Sequence, residues 1–341
     1  MTVTNSERVP ATMFAWRKHK GSPKPVFEEV PVPKVSPNGI LCKMLASGVC
    51  RSDHSLLTIE KQASWFQEKY ILGHEGCGQI IEIGGNVQDN GLKVGDIVAL
   101  HAVPGCNQED CPECSRDLAQ LCERGHHSGI GQDGFCAPYT AVDIRAAVRV
   151  PDGVSPAEAA VATDAVNTAF HAITRRGEVK KHETVFLFGL GGLVSDIRQE
   201  LLDEAKALGI PEKDIVPTGK PPQDFIKENG LEGKIDTVLD FVGTHQTFED
   251  AQHIVRRGGK LLCIGSLETE NTIHMKIGTR KRLSFIFSYG GQVRDLEKVL
   301  ELIASGHITP RVETRKLPDF EEVLEALGEG KIKARVALLH D

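Results

Sequence analysis

The sequence predicts an α/β protein of two parts, an antiparallel barrel-like domain and a parallel-sheet domain. Three observations carry that expectation. Residues from about 25 to 150 break into short β-rich runs separated by Gly and Pro. After Pro156 strands alternate with helical stretches, which implies right-handed βαβ crossovers. One of those strands runs straight into a glycine-rich turn, G-L-G-G-L.

Taken in order, residues 39–45, 78–83, 96–101 and 147–150 read as strands of the first domain. Residues 157–173 read as a helix and 183–189 as a fully buried strand. Strands follow at 235–243, 259–265 and 283–289, with a helix at 246–257 between the first two. Residues 293–305 form an amphipathic helix carrying Leu296, Val299, Leu300, Leu302 and Ile303, and 334–339 a final strand. Neither an internal repeat nor a low-complexity linker interrupts the pattern.

The chain has 341 residues, 40% apolar and 26% charged, enough for two domains with a core in each. A net charge of -7 argues against a nucleic-acid backbone or an anionic membrane as partner. The first residues hold no apolar core of signal-peptide length, and the longest apolar stretch, around 185–194, is far too short to span a bilayer. The expectation is a cytoplasmic protein with no nucleic-acid or membrane partner.

Nine cysteines are present, and four of them crowd into one loop. Cys106, Cys111, Cys114 and Cys122 follow the spacing C-x4-C-x2-C-x7-C. Four thiolates in one loop can close a tetrahedral zinc site with no open position, the structural type. Nothing else in the sequence suggests electron transfer, which disfavours an iron–sulfur cluster.

A second constellation joins G-V-C-R-S-D-H (48–54) to L-G-H-E-G-C-G (72–78). A catalytic zinc needs three protein ligands and an exchangeable position. Cys50 offers a thiolate, His74 an imidazole, and Asp53 is suited to orient the histidine. Residues 73–87, G-H-E-G-C-G-Q-I-I-E-I-G-G-N-V, resemble throughout the zinc signature of the medium-chain alcohol dehydrogenase family. The C-R-S-D motif, the four-cysteine lobe and the later G-L-G-G-L occur in that family's order, and the resemblance runs from about Thr12 to Leu339.

The resemblance implies a GroES-like antiparallel β-barrel catalytic domain, residues 1–165 with 293–341, and a Rossmann-type parallel-sheet domain, residues 166–292. It implies two zinc ions per chain, with Cys50 and His74 as ligands of the catalytic one and Glu75 as an alternate or supporting carboxylate. The third ligand is expected from A-T-D-A-V-N-T-A-F (162–170), where Asp164 stands in place of the cysteine of many relatives. Ser52 matches the proton-relay hydroxyl, with His54 as a candidate to continue the relay. Arg51 and Arg335 match positions that touch the cofactor pyrophosphate. The reaction implied is hydride transfer between NAD or NADP and a small alcohol or its carbonyl partner, in a homo-oligomer, dimer or tetramer.

In a dinucleotide fold the first glycine makes the turn, the second admits the pyrophosphate, the third permits helix packing, and an acid about 20 residues on holds the ribose. Here Gly189, Gly191 and Gly192 are in place, but Val194 stands at the third position of the fingerprint. Asp196 resembles the ribose acid, only seven residues after Gly189. The expectation is a nucleotide domain truncated by one βα unit at Leu193–Val194. A helix over 195–208, with Ile197, Leu201, Leu202, Ala205 and Leu208 on one face, and a strand at 214–217 would replace the unit in a five-stranded sheet. Asp196 would then cap that helix. A folded zinc protein with impaired dinucleotide binding is the rival expectation.

Overall fold

The computed structural model describes residues 9–59, 62–189, 193–196, 199–207 and 209–340. They form two compact units, Met1–Asn167 with Gly290–Asp341, and Thr168–Tyr289. Gly191, Gly192, Ile197 and Leu208 lie outside the described residues.

The first unit opens with β1 (Thr12–His19) and β2 (Val26–Pro31), then β3 (Gly39–Val49) and the short helix α1 (Arg51–Thr58). Five strands follow: β4 (Lys69–Ile71), β5 (Glu75–Ile83), β6 (Ile97–His101), β7 (Tyr139–Asp143) and β8 (Ala147–Arg149). The four-cysteine loop lies between β6 and β7. Ser155 caps the next helix, with Glu158 answering in a capping box. That helix runs as α2 (Pro156–Val161), a π segment (Ala162–Val166), α3 (Asn167–His171) and a second π segment (Ala172–Arg176). The sequence pattern reads this stretch as one plain helix. Periodicity over 17 residues does not register a single inserted residue, and such insertions recur at functional sites.

The second unit contains β9 (Val185–Phe188), β10 (Leu193–Ser195), α4 (Gln199–Ala207), α5 (Pro222–Glu228), β11 (Thr237–Asp240), α6 (His245–Ile254), β12 (Lys260–Cys263), α7 (Met275–Lys281) and β13 (Ser284–Phe287). After Gly290 the first unit is completed by α8 (Val293–Ala304), β14 (Val312–Lys316), α9 (Phe320–Gly328) and β15 (Arg335–Leu339).

In the first unit the main sheet runs β14-β15-β3-β5-β6-β8, with β7 also paired to β3, and β2-β1-β4 forms a smaller sheet. All pairs are antiparallel except β14–β15. Ile40, Cys42, Met44, Ile80, Val98, Leu100 and Phe135 fill the barrel interior.

The second unit's sheet is parallel and five-stranded, β10-β9-β11-β12-β13. Both faces are covered, as a parallel sheet requires. Phe186 and Phe188 pack on one side with Val238, Phe248 and Leu261, while Leu187 packs on the other with Leu239 and Leu262.

The glycine-turn region departs from expectation. The second strand is β10, beside β9 with Leu193 opposite Phe186, and 214–217 is not a strand but a 310 turn (Glu212–Asp214) and a bridging Ile215. Four residues join β9 to β10, where parallel neighbours ordinarily need a dozen or more. Asp196 follows β10 directly, and the two residues between it and Gln199, where the described part of α4 begins, lie outside the described residues. The apolar face of α4 is as expected: Leu202 and Ala205 bury with Ile215.

The end of β11 is held by one buried carboxylate. Asp240 accepts the N–H groups of Val242 and Gly243, both at 2.9 Å, and the Thr247 hydroxyl at 3.0 Å. Asp240→Ala strands two backbone donors, and each buried unsatisfied group costs about 1–3 kcal/mol. Urea unfolding is expected to show a loss of about 2–4 kcal/mol; a loss under about 1 kcal/mol would assign the turn's stability elsewhere.

Candidate active site

Two clusters gather in the first unit. In the four-cysteine loop the sulfurs of Cys106, Cys111, Cys114 and Cys122 all lie within 4.8 Å of one another. Cys106 and Cys114 are 3.8 Å apart, Cys111 and Cys122 3.7 Å. Zinc–sulfur bonds of about 2.3 Å at tetrahedral angles put sulfurs about 3.8 Å apart, so the donors match the metal.

The second cluster brings together Cys50, His74, Glu75 and Asp164, whose donor atoms again lie within 4.8 Å of one another. Cys50 follows β3 and caps α1, His74 precedes β5, and Asp164 lies in the first π segment. Cys50 Sγ is 3.5 Å from Asp164 Oδ2, which is 3.7 Å from His74 Nε2. A tetrahedral zinc sets thiolate and carboxylate donors about 3.5 Å apart. The cluster fits the metal.

Asp53 organises these donors. One of its oxygens accepts the Cys50 N–H at 2.9 Å, and the other faces His74 Nδ1 at 3.1 Å. With Nδ1–H donated to Asp53, the Nε2 lone pair is left for the cluster. Burial pulls the His74 pKa down, but Asp53 and Asp164 outweigh it and raise it well above the usual value. Burial and Asp164 push the Cys50 thiol up, yet the His74 contact and the Arg335 charge bring it net down. Charges of this strength crowd a buried space suited to a cation.

Glu75 is fully buried, and its Oε1 pairs with the Arg335 guanidinium. Its carboxylate lies over Gly48, its register partner in β3, where a Cβ would come within 1.9 Å of Oε2. Only glycine leaves that room. Burial raises the Glu75 pKa well above the carboxylate range, against the pull of Arg335.

Ser52 is exposed on α1, with Oγ 3.5 Å from Cys50 Sγ. His54 stands apart from it: a Cβ at Gly328 of α9 would meet His54 Nε2 at 2.9 Å. Positions two apart on a helix face different sides, so Ser52 and His54 point apart on α1. Arg51 is exposed on the first turn of α1. Arg335, expected on a phosphate, pairs with Glu75. In the second unit Gly189 takes φ +80° at the end of β9, and Asp196 follows the neighbouring β10.

Sequence reasoning missed His101. It lies opposite Glu75 in the β5–β6 ladder, buried, with Nε2–H donated to the Gly291 carbonyl at 3.0 Å and Nδ1 accepting the Val103 N–H at 3.2 Å. A lone histidine with no spacing partner leaves no mark in the sequence.

A barrel-like unit bearing a closed thiolate site and a Cys–His–Asp cluster, together with a parallel-sheet unit, defines a zinc-dependent dehydrogenase. Residues 36–152 match the alcohol dehydrogenase GroES-like domain, and residues 187–305 the zinc-binding dehydrogenase domain. An alcohol dehydrogenase of Geobacillus stearothermophilus is 31% identical over 337 residues, covering 92% of this chain and 96% of that protein. The acetophenone reductase of Geotrichum candidum, solved in complex with NAD, superposes with a TM-score of 0.87 at 28% identity, covering 98% of each chain. An alcohol dehydrogenase from Aeropyrum pernix gives 0.83 at 25% identity over 96% of this chain and all of that one. The chain belongs to the zinc-dependent medium-chain alcohol dehydrogenase family, and it is a zinc-dependent oxidoreductase with a GroES-like domain and a Rossmann-like sheet. The expected truncation finds no support in coverage that complete.

Elemental analysis of the purified protein is expected to give close to two zinc ions per chain, one for each cluster. Cys111→Ala should keep only one and melt at a lower temperature, since a closed thiolate site contributes folding free energy. A wild-type value near zero would dispose of both sites.

Proposed function

We propose that this protein moves hydride between an alcohol, or its aldehyde or ketone, and NAD, with Cys50, His74 and Asp164 holding the catalytic zinc. The observation that carries the reading is the meeting of those three donors at zinc-ligand separations. When bound, the zinc would polarise the substrate oxygen as a Lewis acid and the nicotinamide would give or take the hydride.

The protein's own residues supply the rest. Three ligands leave a fourth position for the substrate oxygen. Cys50 and Asp164 carry two negative charges against a divalent cation, while the Arg335 guanidinium holds the buried Glu75 in place. Asp53 fixes the His74 tautomer. The Ser52 hydroxyl, beside Cys50, accepts the substrate proton and passes its own to solvent. Arg51 remains the candidate for a cofactor phosphate, and Arg335 holds Glu75 in place.

Gly189 and Asp196 stand at the carboxyl ends of adjacent parallel strands, where a dinucleotide fold places its turn and its ribose acid. That position favours NAD, because a carboxylate there accepts ribose hydroxyls and repels a 2′-phosphate. Nothing observed favours the rival of impaired dinucleotide binding. The reading takes in a cytoplasmic homo-oligomer, dimer or tetramer, testable by light scattering; among the described residues no helix is long and apolar enough to cross a membrane.

Cys50→Ala is expected to lose one zinc equivalent and all turnover while its far-ultraviolet circular dichroism stays unchanged. Asp53→Asn, which disturbs the support of His74 and of the Cys50 backbone without removing a donor of the cluster, should weaken that metal by about 10–100-fold in a chelator competition. Full activity in the metal-depleted Cys50→Ala protein would end the assignment.

NADH should bind at least about tenfold more tightly than NADPH, and Asp196→Ala should erase most of the difference, since a charge-assisted bond contributes about 1.5–3 kcal/mol. Fluorescence titration decides it: equal binding of the two by the wild type would remove Asp196 from the ribose.

A further inference from the structure

The polypeptide leaves the first unit after Asn167 and re-enters it at Gly290. Inside that unit the two crossing points are locked together. Gly291 lies against the Asn167 amide so closely that a Cβ would come within 2.5 Å of its Cγ and Nδ2. Asn167 Nδ2 donates to the Gln292 carbonyl at 3.3 Å. The backbone N–H of Asn167 donates to the carbonyls of Ala162 and Asp164, closing the π segment that presents Asp164. Asn167 is completely buried, and its Oδ1 has no hydrogen-bond partner.

Gln292 extends the lock to the four-cysteine lobe. Its buried amide nitrogen donates to the Asp117 carbonyl and, at 3.2 Å, to Gln120 Oε1. Both partners lie between Cys114 and Cys122. Asp117 holds a left-handed conformation, φ +60°, directly after the turn that bears Cys114. Arg294 Nε donates to the amide oxygen of Gln292 at 2.7 Å. Through the Gly291 carbonyl the same junction meets His101, opposite Glu75 in the ladder.

We propose that Asn167, Gly291 and Gln292 form a positioning clamp through which the four-cysteine lobe sets the placement of Asp164. The proposal rests on Asp164 being a metal ligand. An apolar side chain would fill the Gln292 site without the cost of burying an amide. Polar groups placed so deep and bonded to three separate segments fix one arrangement and exclude others. An unpaired Asn167 Oδ1 belongs to the same logic, because the residue is held by its donors alone. The lobe, in this view, does more than stabilise its own loop. Its Asp117–Gln120 edge holds the return segment, which holds Asn167, which ends the π turn three residues after Asp164.

The test uses Gln292→Met, which keeps the volume and removes the donors, in protein whose catalytic zinc is exchanged for cobalt(II). The variant is expected to keep both metals, shift the visible cobalt bands, and speed amide exchange over 162–167. Its kcat should fall about tenfold or more with KM changed less, since small misplacements at a reacting centre cost up to about a hundredfold. Gln120→Met, which removes an acceptor on the lobe side, should move the same bands in the same direction, and it serves if Gln292→Met does not fold. Cobalt bands and exchange rates identical to wild type in the folded variant would overturn the clamp. Failure of the underlying ligand assignment is separately visible: wild-type cobalt bands would then be indifferent to Asp164→Asn.

Discussion

Everything in the first unit answers to one electrostatic constraint. Two carboxylates, a thiolate and an imidazole from three separate segments share a space a few ångströms wide, largely out of water. Uncompensated, such a group of charges costs several kcal/mol per ion in desolvation alone. The compensation is built residue by residue: Arg335 on Glu75, Asp53 on His74, and the negative pair Cys50 and Asp164 left to a divalent ion. The frame is the β3–β5 ladder, which puts Gly48 opposite Glu75 and ends beside Cys50 and His74. The barrel interior of Ile40, Met44, Leu100 and Phe135 keeps that frame stiff.

The chemistry was far more legible in the sequence than its support. Zinc ligands announce themselves because few residue types can do the work and because thiolates cluster at short spacing. Cys106 to Cys122, Cys50 and His74 were therefore readable as candidate donors, and Asp164, expected from the family's pattern, lies beside Cys50 and His74. The residues that hold them were not. Arg335 pairs with Glu75 across 260 positions, His101 reaches Gly291 across 190, and no periodicity connects such partners. The π segment was invisible for a related reason: one extra residue changes the direction of a side chain without changing composition.

The parallel-sheet unit shows the opposite balance. Its strands read clearly, since both faces of Phe186–Leu187–Phe188 must be covered and the sequence is apolar throughout. Its nucleotide-facing corner did not, because the order of strands depends on pairing rather than on local pattern. Residues 193–195, too short to score as a strand, take the place expected of 214–217. Asp196 thereby stands at a strand end despite its short distance from Gly189. Whole-chain comparison and local connection describe different scales of the same unit.

The four-residue connection between β9 and β10 also bears on how the chain finds its fold. Parallel pairs are ordinarily slow to form, because loop-closure entropy must be lost before their contacts reward it. Here Leu193 pairs with Phe186, seven positions away, a separation closer to that of a hairpin than of a crossover. This corner of the sheet can be assembled from nearly contiguous chain, leaving the long-range closures to β11, β12 and β13. The strand pairing of shortest sequence separation in this sheet and the strand ends at Gly189 and Asp196 therefore lie on the same short stretch of polypeptide.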